Sequence, residues 1–403
     1  MTDYAERTAR YADLVVRIGA NVQPGQTLLI NGHIEHAPFA RALAEAAYAR
    51  GARYVDVWYW DPHVKRSRIL HAPLESLSET PAWLDERARA AVDGGAYIRI
   101  EGDPAPTLLS DLDGKRASLD PMPVNQVIRQ GQRENTMCWS IACYPTPGWA
   151  QAVLGEPDLD RLWDAVATAV RLDQPDPVAA WEAHIADLDR RGGLLTERRF
   201  DAIRFRGPGT DLTVGLLPGS VWTSGTETTR SGVRCVVNMP TEEVFTTPDR
   251  RRAEGVVRAS LPLLCEGVLV EGLEMEFEGG RIVRVDADTG ADIVRGQVER
   301  DEGSHQLGEV ALVSGDSGVY KSGLLFKDTL YDENAACHIA YGAAYVAGVE
   351  GMADLTPAER YEAGLSVSAV HTDFMIGGPE VEVDGLDGSG AATPLLRDNA
   401  WQI

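Results

Sequence analysis

Four short segments in the second half of the chain carry carboxylates and imidazoles among apolar neighbours that would draw them inward. Residues 240–248 (PTEEVFTTP) set Glu242 and Glu243 on a proline-bounded loop after the apolar run 233–237, and Val244 and Phe245 pull that loop toward a core. In 307–313 (LGEVALV), strand alternation puts Glu309 on the face of Leu307, Ala311 and Val313, where a carboxylate is costly unless paired or bound to a metal. Gly308 beside it permits close backbone approach. Residues 332–346 (DENAACHIAYGAAYV) read as a helix capped by Asp332 or Asn334, with His338, Tyr341 or Gly342, and Tyr345 along one face. Residues 367–376 (VSAVHTDFMI) read as a strand that aims His371 and Asp373 to one side.

Taking Glu243 from the first pair with Glu309, His338, His371 and Asp373 gives three carboxylates and two imidazoles. Oxygen and nitrogen donors without thiolate suit zinc, cobalt, manganese or iron. One catalytic zinc takes about three protein ligands and a water, so five donors exceed a single ion. They fit two ions about 3.5–4 Å apart that share a carboxylate, the arrangement of two-metal hydrolases.

The elements that must position these residues fall into two parts. Residues 1–190 are expected to form an α/β domain with a parallel sheet: strands at 27–31, 54–60 and 97–101 alternate with helices at 37–50 and 81–92, and a further strand in 137–150 precedes a helix at 158–169. No GxGxxG follows the first strand, so a dinucleotide site has no support, and His33 and His36 in that loop read as surface histidines. Beyond Gly192-Gly193 the period changes to two. Runs at 200–205 and 211–216, and a hairpin at 273–285 around Gly279-Gly280, mark residues 191–403 as a β-rich α+β catalytic domain carrying the metal site.

Charge and cysteine usage narrow the partners. With 38 basic and 61 acidic residues the net charge is −23, which argues against nucleic acid or an anionic membrane as the main partner. The five cysteines lack CxxC spacing and read as reduced, buried side chains. Neither an apolar leader core in residues 1–10 nor a membrane-length apolar run is present, so a soluble, cytoplasmic protein is expected.

On 240–248, 307–313, 332–345 and HTDFMIGG at 371–378, in that order, the chain resembles the thermophilic metalloprotease family of aminopeptidases, of the aminopeptidase T and aminopeptidase S type. The resemblance spans nearly the whole chain. It implies two divalent metal ions per subunit (zinc, cobalt, manganese or magnesium) held by Glu243, Glu309, His338, His371 and Asp373, with Tyr345 as the site tyrosine. Glu243 is preferred to Glu242 because 309 − 243 = 66 resembles the family's spacing. It further implies a homodimer that cleaves the N-terminal bond of peptide substrates with a metal-activated water. In that scheme Glu309 bridges the ions, Glu242 is the general base and Tyr345 donates to the oxyanion. Tyr341 stands where a more apolar residue is expected, a change that would alter the pocket wall. Two other activities compete: hydrolysis of a non-peptide amide by the same machinery, and ring cleavage by a single-iron dioxygenase of related fold, which the presence of both Glu243 and Glu309 disfavours.

Overall fold

Aliphatic runs alternating with helices close into a parallel sheet in the first of two units of the computed structural model, which describes residues 4–109, 111, 112, 116, 119 and 124–403. Leu28, Leu29 and Ile30 are fully buried, as a strand covered on both faces requires. Their strand, Thr27–His33, lies between Tyr54–Trp60 and Ala96–Glu101, and Cys138–Cys143 and Asn238–Met239 extend the sheet beyond the latter. Every pairing is parallel, so each connection crosses over, the first two through the helices Ala37–Ala49 and Ala82–Val92. Phe39, Ala40, Leu43 and Ala47 form the buried stripe of the first helix. Phe39 stacks on Tyr11 and Tyr144 at 4.8 and 5.0 Å.

His36 departs from expectation. It is fully buried rather than on the surface. Its Nδ1 accepts the His33 N–H at 3.2 Å and its Nε2 donates to the Gly102 carbonyl at 3.1 Å, so a neutral ring satisfies both partners. Gly32 makes room, since a Cβ there would lie 3.1 Å from His36 Nδ1 and from Ile100 Cβ. All five cysteines are buried thiols outside any disulfide. No helix among the described residues is long and apolar enough to cross a membrane.

The units are Met1–Glu182 with Gly225–Pro240, and Ala183–Ser224 with Thr241–Ile403. The sequence suggests one boundary near residue 190; the chain instead leaves the second unit for residues 225–240 and returns to it. Within the second unit an eight-stranded antiparallel sheet runs from Arg281–Asp286 to Ala400–Trp401 and includes the expected hairpin, Glu274–Glu278 with Arg281–Asp286. A five-stranded antiparallel sheet orders His371–Met375, His338–Gly342, Leu307–Leu312, Val244–Thr246 and Thr223–Ser224 side by side. Leu307–Leu312 is buried along its whole length.

The helix expected over 332–346 is replaced by a short helix Thr329–Asp332, a 3₁₀ turn Glu333–Ala335 and the strand His338–Gly342. Two causes stand out. Every residue of His338–Gly342 is buried, on both faces of the strand, so no alternation of exposed and buried positions betrays it. Gly342 adopts φ +104°, and a Cβ there would lie 2.1 Å from the Val370 carbonyl oxygen. No helix tolerates that backbone conformation.

Candidate metal centre

The cross-strand register gathers the polar residues on one face. Ala340 pairs with Glu309 on one side and with Asp373 on the other. His338 lies two residues before Ala340, and His371 two before Asp373, so strand alternation turns all four polar side chains to the same face. Ala311 pairs with both His338 and Phe245. Glu243, two residues before Phe245, therefore shares that face although it precedes the Val244–Thr246 ladder. Ala340, between Glu309 and Asp373, contributes only a methyl group to the row.

The structure brings together the five donors named from the sequence. Glu243, Glu309 and His338 form one group and Glu309, His371 and Asp373 another, with ligand atoms in each within 4.8 Å of one another. Glu309 belongs to both. His338 Nδ1 lies 3.2 Å from the Ala336 carbonyl and His371 Nδ1 2.7 Å from that of Ala343. A carbonyl only accepts, so each Nδ1 carries a proton and each Nε2 is turned to the carboxylates. His338 Nε2 is 2.9 Å from Glu243 Oε2, and His371 Nε2 is 3.3 Å from Glu309 and 3.5 Å from Asp373. The Ala343 carbonyl is itself packed against Gly308, where a Cβ would come within 2.2 Å of it.

Such a cluster is electrostatically expensive. Burial, with Asp373 and Glu243 adding to it and His371 opposing, pushes Glu309 up to about 7. Burial works against a charge on His338, but the surrounding carboxylates, Glu243 foremost, outweigh it and raise the ring to about 10. Asp373 is held below its ordinary range by His371 and His338 in spite of its burial. Glu243 Oε2, His371 Nε2 and Asp373 Oδ1 are buried without an aligned hydrogen bond, and buried polar atoms of that kind call for a partner. Oxygen and imidazole donors with free lone pairs and fixed Nδ1 protons are the set a divalent cation takes. The residues fit such an ion.

Glu242 is not part of either group. Neighbouring side chains leave an extended backbone on opposite sides, and the Glu242 carboxylate lies 3.6 Å from His184 Nε2 and accepts the Gly318 N–H at 3.4 Å. Glu333, which the sequence reading passed over, stands closer to the chemistry. It borders a cavity of about 120 Å³ together with His371 and Asp373. Burial and the charges of Asp373 and Glu243 hold its carboxyl well above the ordinary range. Its signal in the sequence is an acid in the turn just ahead of His338, legible only once residues 333–335 are known to be a turn.

Tyr345 packs its ring on His371 at 4.7 Å and on Phe245 at 5.5 Å. It exposes 46% of its surface, yet desolvation toward the cluster, joined by Glu309 and Asp373, holds its phenol well above the ordinary range. The hydroxyl therefore stays a donor. Tyr341 is fully buried. Its hydroxyl donates to Gln297 Oε1 at 2.5 Å, which also accepts from Thr372 at 2.9 Å. Tyr341 thus braces two residues that line the cavity.

The sequence model of the thermophilic metalloprotease (M29) family matches residues 4–401. Aminopeptidase T of Thermus aquaticus is 44% identical over 411 residues and aminopeptidase AmpS of Bacillus subtilis 36% identical over 409 residues, each alignment covering 100% of both chains. The solved structure of wild-type AmpT from Thermus thermophilus superposes with a TM-score of 0.92 at 41% identity, covering 99% of this chain and 100% of that one.

Proposed function

The chain belongs to the thermophilic metalloprotease (M29) family and is a metal-dependent aminopeptidase, and we propose that Glu243, Glu309, His338, His371 and Asp373 are the ligands of two divalent ions at its catalytic centre. The observation that carries this reading is the arrangement of two donor groups sharing Glu309 on one face of a buried sheet, with both imidazoles presenting Nε2. When bound, the ions supply a water acidic enough to ionise near neutral pH and polarisation of the scissile carbonyl.

The chain's own residues do the rest. Glu333 is the group to take a proton from the attacking water and return it to the departing amide nitrogen, because it borders the cavity, lies outside both donor groups and holds its proton more tightly than an ordinary carboxylate. This role was expected of Glu242, whose carboxylate lies outside both donor groups and accepts the Gly318 N–H instead. Tyr345 donates its hydroxyl hydrogen to the oxygen of the tetrahedral species. Zinc, cobalt, manganese and magnesium are the ions to compare. Two chains form the functional particle, a point that sedimentation at twice the chain mass would support.

The test is amino acid release from short peptides with free or acetylated N-termini, by protein stripped with chelator and then given one metal at a time. Cleavage confined to free-amine peptides and restored by metal is expected. Equal cleavage of acetylated peptides, or full turnover after stripping, would refute the proposal.

A further inference from the structure

We infer that Asn334 is a positioning residue for the metal centre, a clamp that fixes the loop bearing Glu243 against the turn bearing Glu333. This rests on the ligand set proposed above. Glu243 is the one donor that lies just outside its ladder: the pairing of Val244–Thr246 with Leu307–Leu312 starts one residue later, at Val244. Its strand holds it from one side only. From the other side, the fully buried Asn334 accepts the Glu242 N–H on Oδ1 at 2.6 Å and donates from Nδ2 to the Leu330 carbonyl at 2.8 Å. The Asn334 carbonyl in turn accepts the Ser317 hydroxyl at 2.6 Å. Asn334 therefore ties three segments together, its amide joining residue 242 to Leu330 and its backbone carbonyl holding Ser317, at points one residue from Glu243, one from Glu333 and four from His338.

The hydrogen bonds are of kinds that an apolar residue cannot supply and that water cannot reach. An amide matches the site because it needs one acceptor and one donor, whereas an ionised carboxylate there would supply acceptors only and leave the Leu330 carbonyl without its donor. The carboxylate of Glu242 completes the clamp from its other end, since it accepts the Gly318 N–H at 3.4 Å while His184 Nε2 donates to the Thr241 carbonyl at 2.8 Å. Losing the hold on residue 242 would let Glu243 swing relative to His338, its neighbour at 2.9 Å. Partners that orient metal ligands typically cost about 10–100-fold in metal affinity or activity when removed.

The test uses the full chain, stripped of metal and titrated calorimetrically with zinc alone and with manganese alone, with kcat and KM then measured at saturating metal. Asn334→Ala is expected to weaken metal binding about 10–100-fold and to lower kcat more than KM. Asn334→Asp, which keeps the acceptor oxygen, is expected to fall between it and the wild type, and so is Ser317→Ala, which frees the Asn334 carbonyl and also uncaps the short helix Gly318–Ser322. These two carry the comparison if Asn334→Ala does not fold. A lowered melting temperature of the metal-free protein with wild-type metal affinity and kcat in all three variants would overturn the clamp. A wild-type chain that neither binds the metals nor needs them for turnover would instead overturn the site on which the clamp depends.

Discussion

Glu309 sets stability against chemistry. A carboxyl whose value is raised from 4.5 to about 7 resists ionisation in the folded state, so without metal it costs stability as the pH rises through that interval. Glu309→Gln is therefore expected to raise the melting temperature of the stripped protein at pH 8, by the equivalent of roughly a few kcal/mol, while kcat/KM falls at least about 100-fold. Thermal melts and kinetics on one preparation give both numbers; wild-type turnover in this variant with full metal content would remove Glu309 from the centre. His36 titrates with the opposite consequence. Burial and nearby His33 lower it from 6.5 to about 3, so the unfolded chain gains a proton below pH 6.5 that the folded chain refuses. Its stabilising contribution is full above 6.5 and shrinks as the pH falls, by about 2 kcal/mol at pH 5. Urea unfolding at pH 7 and pH 5 should show that loss in the wild type and a smaller one in His36→Gln. At this scale the sequence was informative where an ionisable group sat in an apolar run, as with Glu309, and silent for Glu333, whose surroundings come from other segments. The same holds for His36, whose polar loop gives no hint that both ring nitrogens find backbone partners inside.

The site's elements matter through register more than through their individual sequences. Ala340 occupies the centre of the row Glu309, Ala340 and Asp373, and its small size is a requirement of the row. Ala340→Val is expected to cost about 1–3 kcal/mol of stability through overpacking and to weaken metal binding, as read by calorimetry. Unchanged metal affinity would mean that the two carboxylates do not converge across that residue. The strands Leu307–Leu312 and His371–Met375 were readable in advance because Glu309 and the His371/Asp373 pair stood out against apolar alternation. His338–Gly342 was not, since alanine-rich sequence favours a helix locally and only the strands on both sides impose extension. The helical reading nonetheless placed His338 and Tyr345 in the site. Chemistry identified residues whose backbone setting it could not supply.

At the scale of the molecule, all the proposed donors belong to the second unit. Stripping metal should therefore lower one melting transition and spare another, and restoring it to about 100–1,000 times its dissociation constant should return roughly 3–4 kcal/mol. Differential scanning calorimetry with and without chelator reads this directly, and a uniform shift of every transition would contradict it. The parallel sheet and its crossover helices were legible from 27–31, 54–60 and 97–101 because these runs, rich in aliphatic and aromatic residues, alternate with helical periods. The return of residues 225–240 was not, because a two-residue strand such as Asn238–Met239 leaves almost no pattern. That small strand has a consequence for synthesis on the ribosome. Its sheet partner ends at Cys143, so 239 − 143 = 96 further residues must be made before the fifth strand exists, a delay of about 5–20 s at ordinary translation rates. Throughout that interval the outer edge of Cys138–Cys143 awaits its partner. The nascent chain must keep an unpaired strand from pairing with its neighbours on the same messenger until the segment leading into Glu243 arrives to cover it.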